Sequence, residues 1–183
     1  RPIKSPANHD PPAGPLTFEQ GRLAYRKHDW NTASYKFQEV LRTHPDHHWS
    51  WLQLANSQRR LGETTEAIET LRQLCQRHPS FTEAWKNLGL LLQQQQQPLE
   101  ARDCFEQLVA LTPTNAEHLS LLSDFLVRTG AKEDAESLLR AASHGFGHQQ
   151  QAGTIWLQLG MLLEGRGETN RAIKALHNAA LVD

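Results

Sequence analysis

Several ingredients are scarce in this 183-residue chain, and each scarcity excludes something. There are two cysteines, Cys75 and Cys104. That is too few for a disulfide framework or a four-ligand zinc site, and it leaves the compartment open between cytoplasm and periplasm. Mean hydropathy is −0.60, and no run of about 18 apolar residues occurs, which excludes a membrane-spanning helix. Basic residues show no excess, 19 Lys and Arg against 20 Asp and Glu, for a net charge of −1. Nucleic-acid binders usually carry a large basic excess, so no nucleic-acid partner is expected. Motifs of catalysis are also missing. There is no G-x-S-x-G, no H-E-x-x-H and no nucleophile–base arrangement. Gly145, Phe146 and Gly147 lack the third glycine or the Gly-Lys-Ser/Thr of a phosphate loop. The chain is therefore expected to be non-catalytic and to need no cofactor and no metal.

Proline is concentrated at the start, as Pro2, Pro6, Pro11, Pro12 and Pro15. It removes amide donors and fixes φ, so residues 1–15 read as an extended, disordered linker ahead of a domain at 16–183. The first residue is Arg1 rather than Met, and no signal peptide is visible, which suggests a piece of a longer or processed chain.

Beyond the linker the chain repeats. Pro45, Pro79 and Pro113 are spaced by 34 residues, and each follows an amphipathic stretch and stops it. Between them the same residue types return in register. Trp51, Leu54, Ala55, Gly62, Ala67 and Leu71 form one set; Trp85, Leu88, Gly89, Ala101 and Phe105 form the next. Gly21, Ala33 and Phe37 give an earlier copy. Leu119, Leu122, Gly130, Ala135 and Leu139 give a later one, and Trp156, Leu159, Gly160, Gly167, Ala172 and Leu176 a fifth. Within a copy, Trp51, Leu54, Ala55 and Gln58 share one helical face, Gly62 breaks the chain, and Ala67, Leu71 and Leu74 form the face of a second helix. Small residues at 55, 89 and 160 let the two helices approach, and Ala67, Ala101 and Ala172 return the contact. Ser80 with Glu83, and Thr114 with Glu117, read as capping boxes. By register, Trp51, Trp85 and Trp156 are core residues.

These motifs resemble the tetratricopeptide repeat, over about residues 15–183. The resemblance implies an all-α fold: a right-handed superhelix of about five helix-turn-helix repeats, near 14–47, 48–81, 82–115, 116–149 and 153–183, with a concave groove. One helix pair cannot bury its apolar stripe alone, so stacked neighbours supply the core. Three departures matter. Repeat 1 has Thr17 and Gln20 where the tryptophan and leucine would be, so its first helix is expected to be loose or to act as a cap. Repeat 4 has Leu119 for the tryptophan and no closing proline. Its period is stretched from 34 to 37 residues, and a longer loop around 145–153 is expected. Repeat 5 stops at Asp183 with no capping helix after it, which suggests further chain or a partner at that end, a second copy included.

Other clusters read as structural. His44, Asp46, His47 and His48 match no zinc spacing and read as a solvated loop. Gln93–Gln97 reads as a polar helix end before Pro98. Cys75 and Cys104 read as buried, inert thiols.

The resemblance also places ligand-facing side chains on the first helix of each pair. The candidate peptide-binding residues are Arg22, Tyr25, Arg26, Trp49, Leu52, Asn56, Arg59, Arg60 and Lys86, with Phe18 as a further apolar anchor. Over repeats 1–3 the basic residues Arg22, Arg26, Arg59, Arg60 and Lys86 face one acid, Glu83; over repeats 4–5, Glu117, Asp124 and Glu164 face Arg128. An acidic peptide or protein segment is the expected partner, steered by charge and anchored by aromatic and apolar contacts. The chaperone-carboxylate clamp of some family members is not expected, because Phe18, Arg22, Gln53, Glu83 and Asn87 stand at its positions. Two rival roles remain open: a substrate-presenting module of a larger enzyme such as a glycosyltransferase, sulfotransferase or hydroxylase, and a self-assembly element.

Overall fold

The structure, a computed structural model, describes residues 16–146 and 150–181. The proline-rich stretch expected at 1–15 lies outside the described residues, as do 147–149. Ten helices and no strand are found among those described: α1 Leu16–Arg26, α2 Trp30–Thr43, α3 His48–Leu61, α4 Thr64–Arg77, α5 Thr82–Gln94, α6 Pro98–Leu111, α7 Ala116–Arg128, α8 Lys132–Phe146, α9 Gln150–Glu164 and α10 Thr169–Ala180. The fold is all-α, built from repeated helical hairpins. It divides into two compact units, residues 1–84 and 85–183.

In the first unit, α1 packs on α2, α2 on α3 and α3 on α4. The core holds Phe18, Ala33, Phe37, Val40 and Leu54, with Tyr25, Leu41 and Trp49 against its edge. The first helix is therefore not loose: Phe18 is fully buried, its ring 5.6 Å from Phe37 and 4.8 Å from His47. Phe18 stands at the register position of Leu52, which is likewise buried. In the second unit, α7 packs on α8, α8 on α9 and α9 on α10, with α6 against α7. Phe105, Leu108, Leu139 and Ile155 are fully buried there.

The hairpins close through a contact between a small residue and a large one. A methyl group on Gly21 would lie 2.7 Å from the Phe37 ring, one on Gly89 2.6 Å from the Phe105 ring, and one on Gly160 2.6 Å from Leu176. The partner of the small residue is thus the large apolar side chain one turn after Ala33, Ala101 or Ala172, not the alanine itself. Those alanines are nonetheless buried. The tryptophans differ from expectation. Trp51, Trp85 and Trp156 are half-buried rather than core. The Trp51 indole lies outward enough to donate to the Pro45 carbonyl at 2.7 Å and to carry Arg77 over its face at 5.5 Å.

The turn inside every hairpin uses one left-handed residue: His28 (φ 62°), Gly62 (83°), Gln96 (58°), Gly130 (87°) and Gly167 (77°). Three of the five are glycine, which adopts this conformation without the Cβ penalty. Helix starts also differ in detail from the sequence reading. The α7 cap is Asn115, whose side chain accepts from the His118 amide at 3.2 Å, not Thr114. Helix α5 begins at Thr82, two residues beyond Ser80. The stretched period of repeat 4 is mostly helix, since α8 runs through Phe146 and α9 begins at Gln150.

Gly89→Ala should lower stability by about 1–3 kcal/mol through overpacking against Phe105, whereas Gly145→Ala, whose methyl meets nothing within 4 Å, should be neutral or stabilising in urea unfolding. Replacing Gln96 by glycine should raise the urea midpoint, by up to about 1 kcal/mol in stability, because it relieves a left-handed side chain.

Candidate peptide-binding surface

Unit 1 presents α1 and α3 side by side. Both pack on α2 and run the same way, so their C-terminal ends share one end of the unit. That end carries Arg26, Arg59 and Arg60, all exposed. Their positions in the last helical turn suit the negative end of the helix dipole. Arg60 lies over the Trp30 ring at 5.7 Å, and Tyr25 meets Trp30 edge-on at 4.7 Å, with His28 on another side at 5.0 Å. Asp29, the neighbouring acid, accepts from the Thr32 amide as the α2 cap, and hydrogen bonding from the Thr32 side chain, then from that amide, holds its carboxyl below the usual range. No ion pair joins Arg26, Arg59 or Arg60 to an acid among the described residues.

The remaining candidates separate into different environments. Arg22 is half-buried and paired with Glu19 at 3.2 Å. Trp49 is half-buried, edge-on to Phe81 at 5.1 Å and beside His48 at 5.6 Å. Asn56 is half-buried. Leu52 is only 5% exposed, and Phe18 is fully buried, so both belong to the core and neither presents an anchor to a ligand. Lys86, in unit 2, bonds Glu117 at 3.0 Å, and that bond holds the Glu117 carboxyl low. The charges of repeats 3 and 4 on that face therefore cancel locally. Sequence reading missed Trp30, the centre of the aromatic–guanidinium cluster. Its partner Arg60 is thirty residues away, on a different helix, and no local spacing signals such a contact.

The histidine loop is less solvated than its composition suggests. His44 is exposed, but His47 and His48 are half-buried. His47 caps α3: its Nδ1 accepts from the Ser50 amide at 3.2 Å, and it lies 2.7 Å from the Ser50 hydroxyl. His48 packs on Phe81 at 4.7 Å and His78 at 5.4 Å. Burial, then the neighbouring histidines, pushes both imidazoles below their ordinary pKa; Glu83 acts against this at His48. Among the described residues no group of three metal-ligating side chains forms. Cys75 and Cys104 are buried and form no disulfide among the described residues.

Comparison with known proteins agrees with this architecture. Tetratricopeptide repeat family models match residues 48–91 and 82–115. The chain is similar to the tetratricopeptide repeat family over residues 48–115. It is 33% identical over 103 residues to tetratricopeptide repeat protein 7A of Homo sapiens, a match covering 56% of this chain and 12% of that protein. Among solved structures, it is similar to MamA (TM-score 0.68, 20% identity, 91% of this chain and 90% of that one). A MamA from Desulfovibrio magneticus RS-1 gives a TM-score of 0.66 at 16% identity, over 91% and 93% of the two chains. YrrB, described as a TPR protein with an unusual peptide-binding site, gives 0.63 at 15% identity, over 91% and 84%. At such identities the likeness concerns the helical-repeat fold. Members of this family generally act as non-catalytic interaction scaffolds, and no helix among the described residues is long and apolar enough to cross a membrane.

The cap geometry generates a pH dependence. The folded state favours neutral His47 and His48, while the unfolded chain takes up protons near the ordinary value of 6.5. Stability is therefore full above about pH 6.5 and falls as the pH drops from there toward the depressed folded values. His47→Asn, which caps without titrating, should flatten part of this fall in urea midpoints measured across that range.

Proposed function

We infer that the chain is a non-catalytic scaffold that binds a protein or peptide segment, and that the segment is acidic. The binding surface is the α1–α3 face of unit 1, with Arg26, Arg59 and Arg60 as the cations, Tyr25 and Trp30 as the aromatic groups beside them, and Trp49 at the other end of α3. The observation that carries this reading is the trio of exposed guanidinium groups without an acidic partner among the described residues, in a chain whose net charge is −1. The near-neutral total makes the trio a local feature rather than a consequence of bulk charge. Arginine suits this role because its planar fork meets a carboxylate with two parallel hydrogen bonds. Each exposed pair contributes at most about 1 kcal/mol, so the charges orient the segment and the aromatic groups hold it. Arg22 is tied to Glu19 and Lys86 to Glu117, so they take a lesser part.

Fluorescence anisotropy with acidic, neutral and basic peptides of equal length tests this. The acidic peptide should bind best, more weakly at high salt. Arg59→Glu with Arg60→Glu should weaken it about tenfold or more, roughly 1.4 kcal/mol, with helicity unchanged. Equal affinity for all three peptides, or for the double variant, would overturn the acidic preference.

A further inference from the structure

In hairpin 2 the closing proline of one repeat and the tryptophan of the next form a pair, the Trp51 indole N–H donating to the Pro45 carbonyl at 2.7 Å. Two repeats later the same positions are Pro113 and Leu119. A pocket of about 340 Å³ opens there within unit 2, lined by Val109, Pro113, Leu119, Leu138, Ala142 and Gly145. Two substitutions in the repeat pattern create it. Leucine stands where hairpin 2 carries its indole. Ala142 stands where the three preceding repeats carry Val40, Leu74 and Leu108, which are 2%, 0% and 0% exposed. Gly145 adds no side chain, and a methyl placed on it would meet nothing within 4 Å. Among the described residues no donor meets the Pro113 carbonyl.

We propose that this pocket is a docking site for the tryptophan side chain of a partner protein, supplied in trans at the place where hairpin 2 supplies its own. The repeat register argues for that occupant. In register, Leu119 stands at the position of Trp51 and Pro113 at that of its carbonyl partner Pro45, and the pocket's walls are apolar apart from Thr114. Charged side chains are disfavoured by the apolar walls. A phenyl ring would leave the acceptor unused, and a tryptophan satisfies both. This surface is distinct from the basic face of unit 1, so the chain would hold two unlike ligand features.

The test titrates N-acetyl-tryptophanamide, with N-acetyl-leucinamide as comparison, into the ¹⁵N-labelled chain and follows amide shifts. Saturable shifts at Val109, Leu119, Leu138, Ala142 and Gly145 are expected for the tryptophan compound and much smaller ones for the leucine compound. Leu119→Trp and Ala142→Leu, which fill the pocket from opposite sides, should each abolish the shifts, and Leu119→Trp should raise the thermal midpoint. The proposal is overturned by the absence of saturable shifts, by equal response to both compounds, or by shifts that persist in a folded filled variant. Circular dichroism establishes which variants fold; should neither fold, the contrast between the two compounds on the wild-type chain decides.

Discussion

The close approach of two helices within a hairpin underlies everything else in this molecule. Gly21, Gly89 and Gly160 lie where any added methyl would collide with Phe37, Phe105 or Leu176. The large side chain fills the depression left by the small one, so each pair closes to contact distance and its two apolar stripes become one surface. A single hairpin cannot bury that surface alone; its neighbours do so, which is why the pattern must recur. The interior is dense enough that a change of one methylene is felt. The repeat tolerates variation in what fills a site, as where Phe18 of repeat 1 and Leu52 of repeat 2 take the same buried register position.

Charge is distributed on a different principle. In unit 2, opposite charges on successive hairpins meet: Lys86 with Glu117, Arg102 with Asp134, and Arg166 with Glu136, joined by Arg171. Such exposed pairs contribute little stability individually, but they neutralise the surface and set hairpins in register. In unit 1 the arginines at the ends of α1 and α3 have no such partners among the described residues, and one of them stacks on Trp30. A guanidinium held over an indole keeps its donors directed outward while its face is covered. Charge neutralised in one unit and left available in the other makes the chain's near-zero net charge a poor guide to what its surface attracts.

Much of this was legible before any coordinates. The 34-residue period, the small residues at the helix crossings, the glycine of the hairpin turn and the buried thiols all follow from local pattern, because helical periodicity and backbone conformation are set by neighbouring residues. Other features were read wrongly or not at all. Leu52 was assigned to the ligand surface by register, yet it is only 5% exposed. Lys86 was counted as available charge, yet Glu117 lies 3.0 Å away, 31 residues along the chain. Trp30 carried no signal, since its role depends on Arg60 on another helix. The cap of α7 shifted by one residue because asparagine and threonine both suit that role.

The amino-acid order by itself determined that this chain forms paired helices, where each pair turns, and which faces are apolar, because those outcomes depend on residues within three or four positions of one another. Only the tertiary structure decided which of the face residues remain open to a ligand. Exposure and charge neutralisation depend on side chains brought together from different hairpins, and a contact across 30 residues leaves no mark in local spacing.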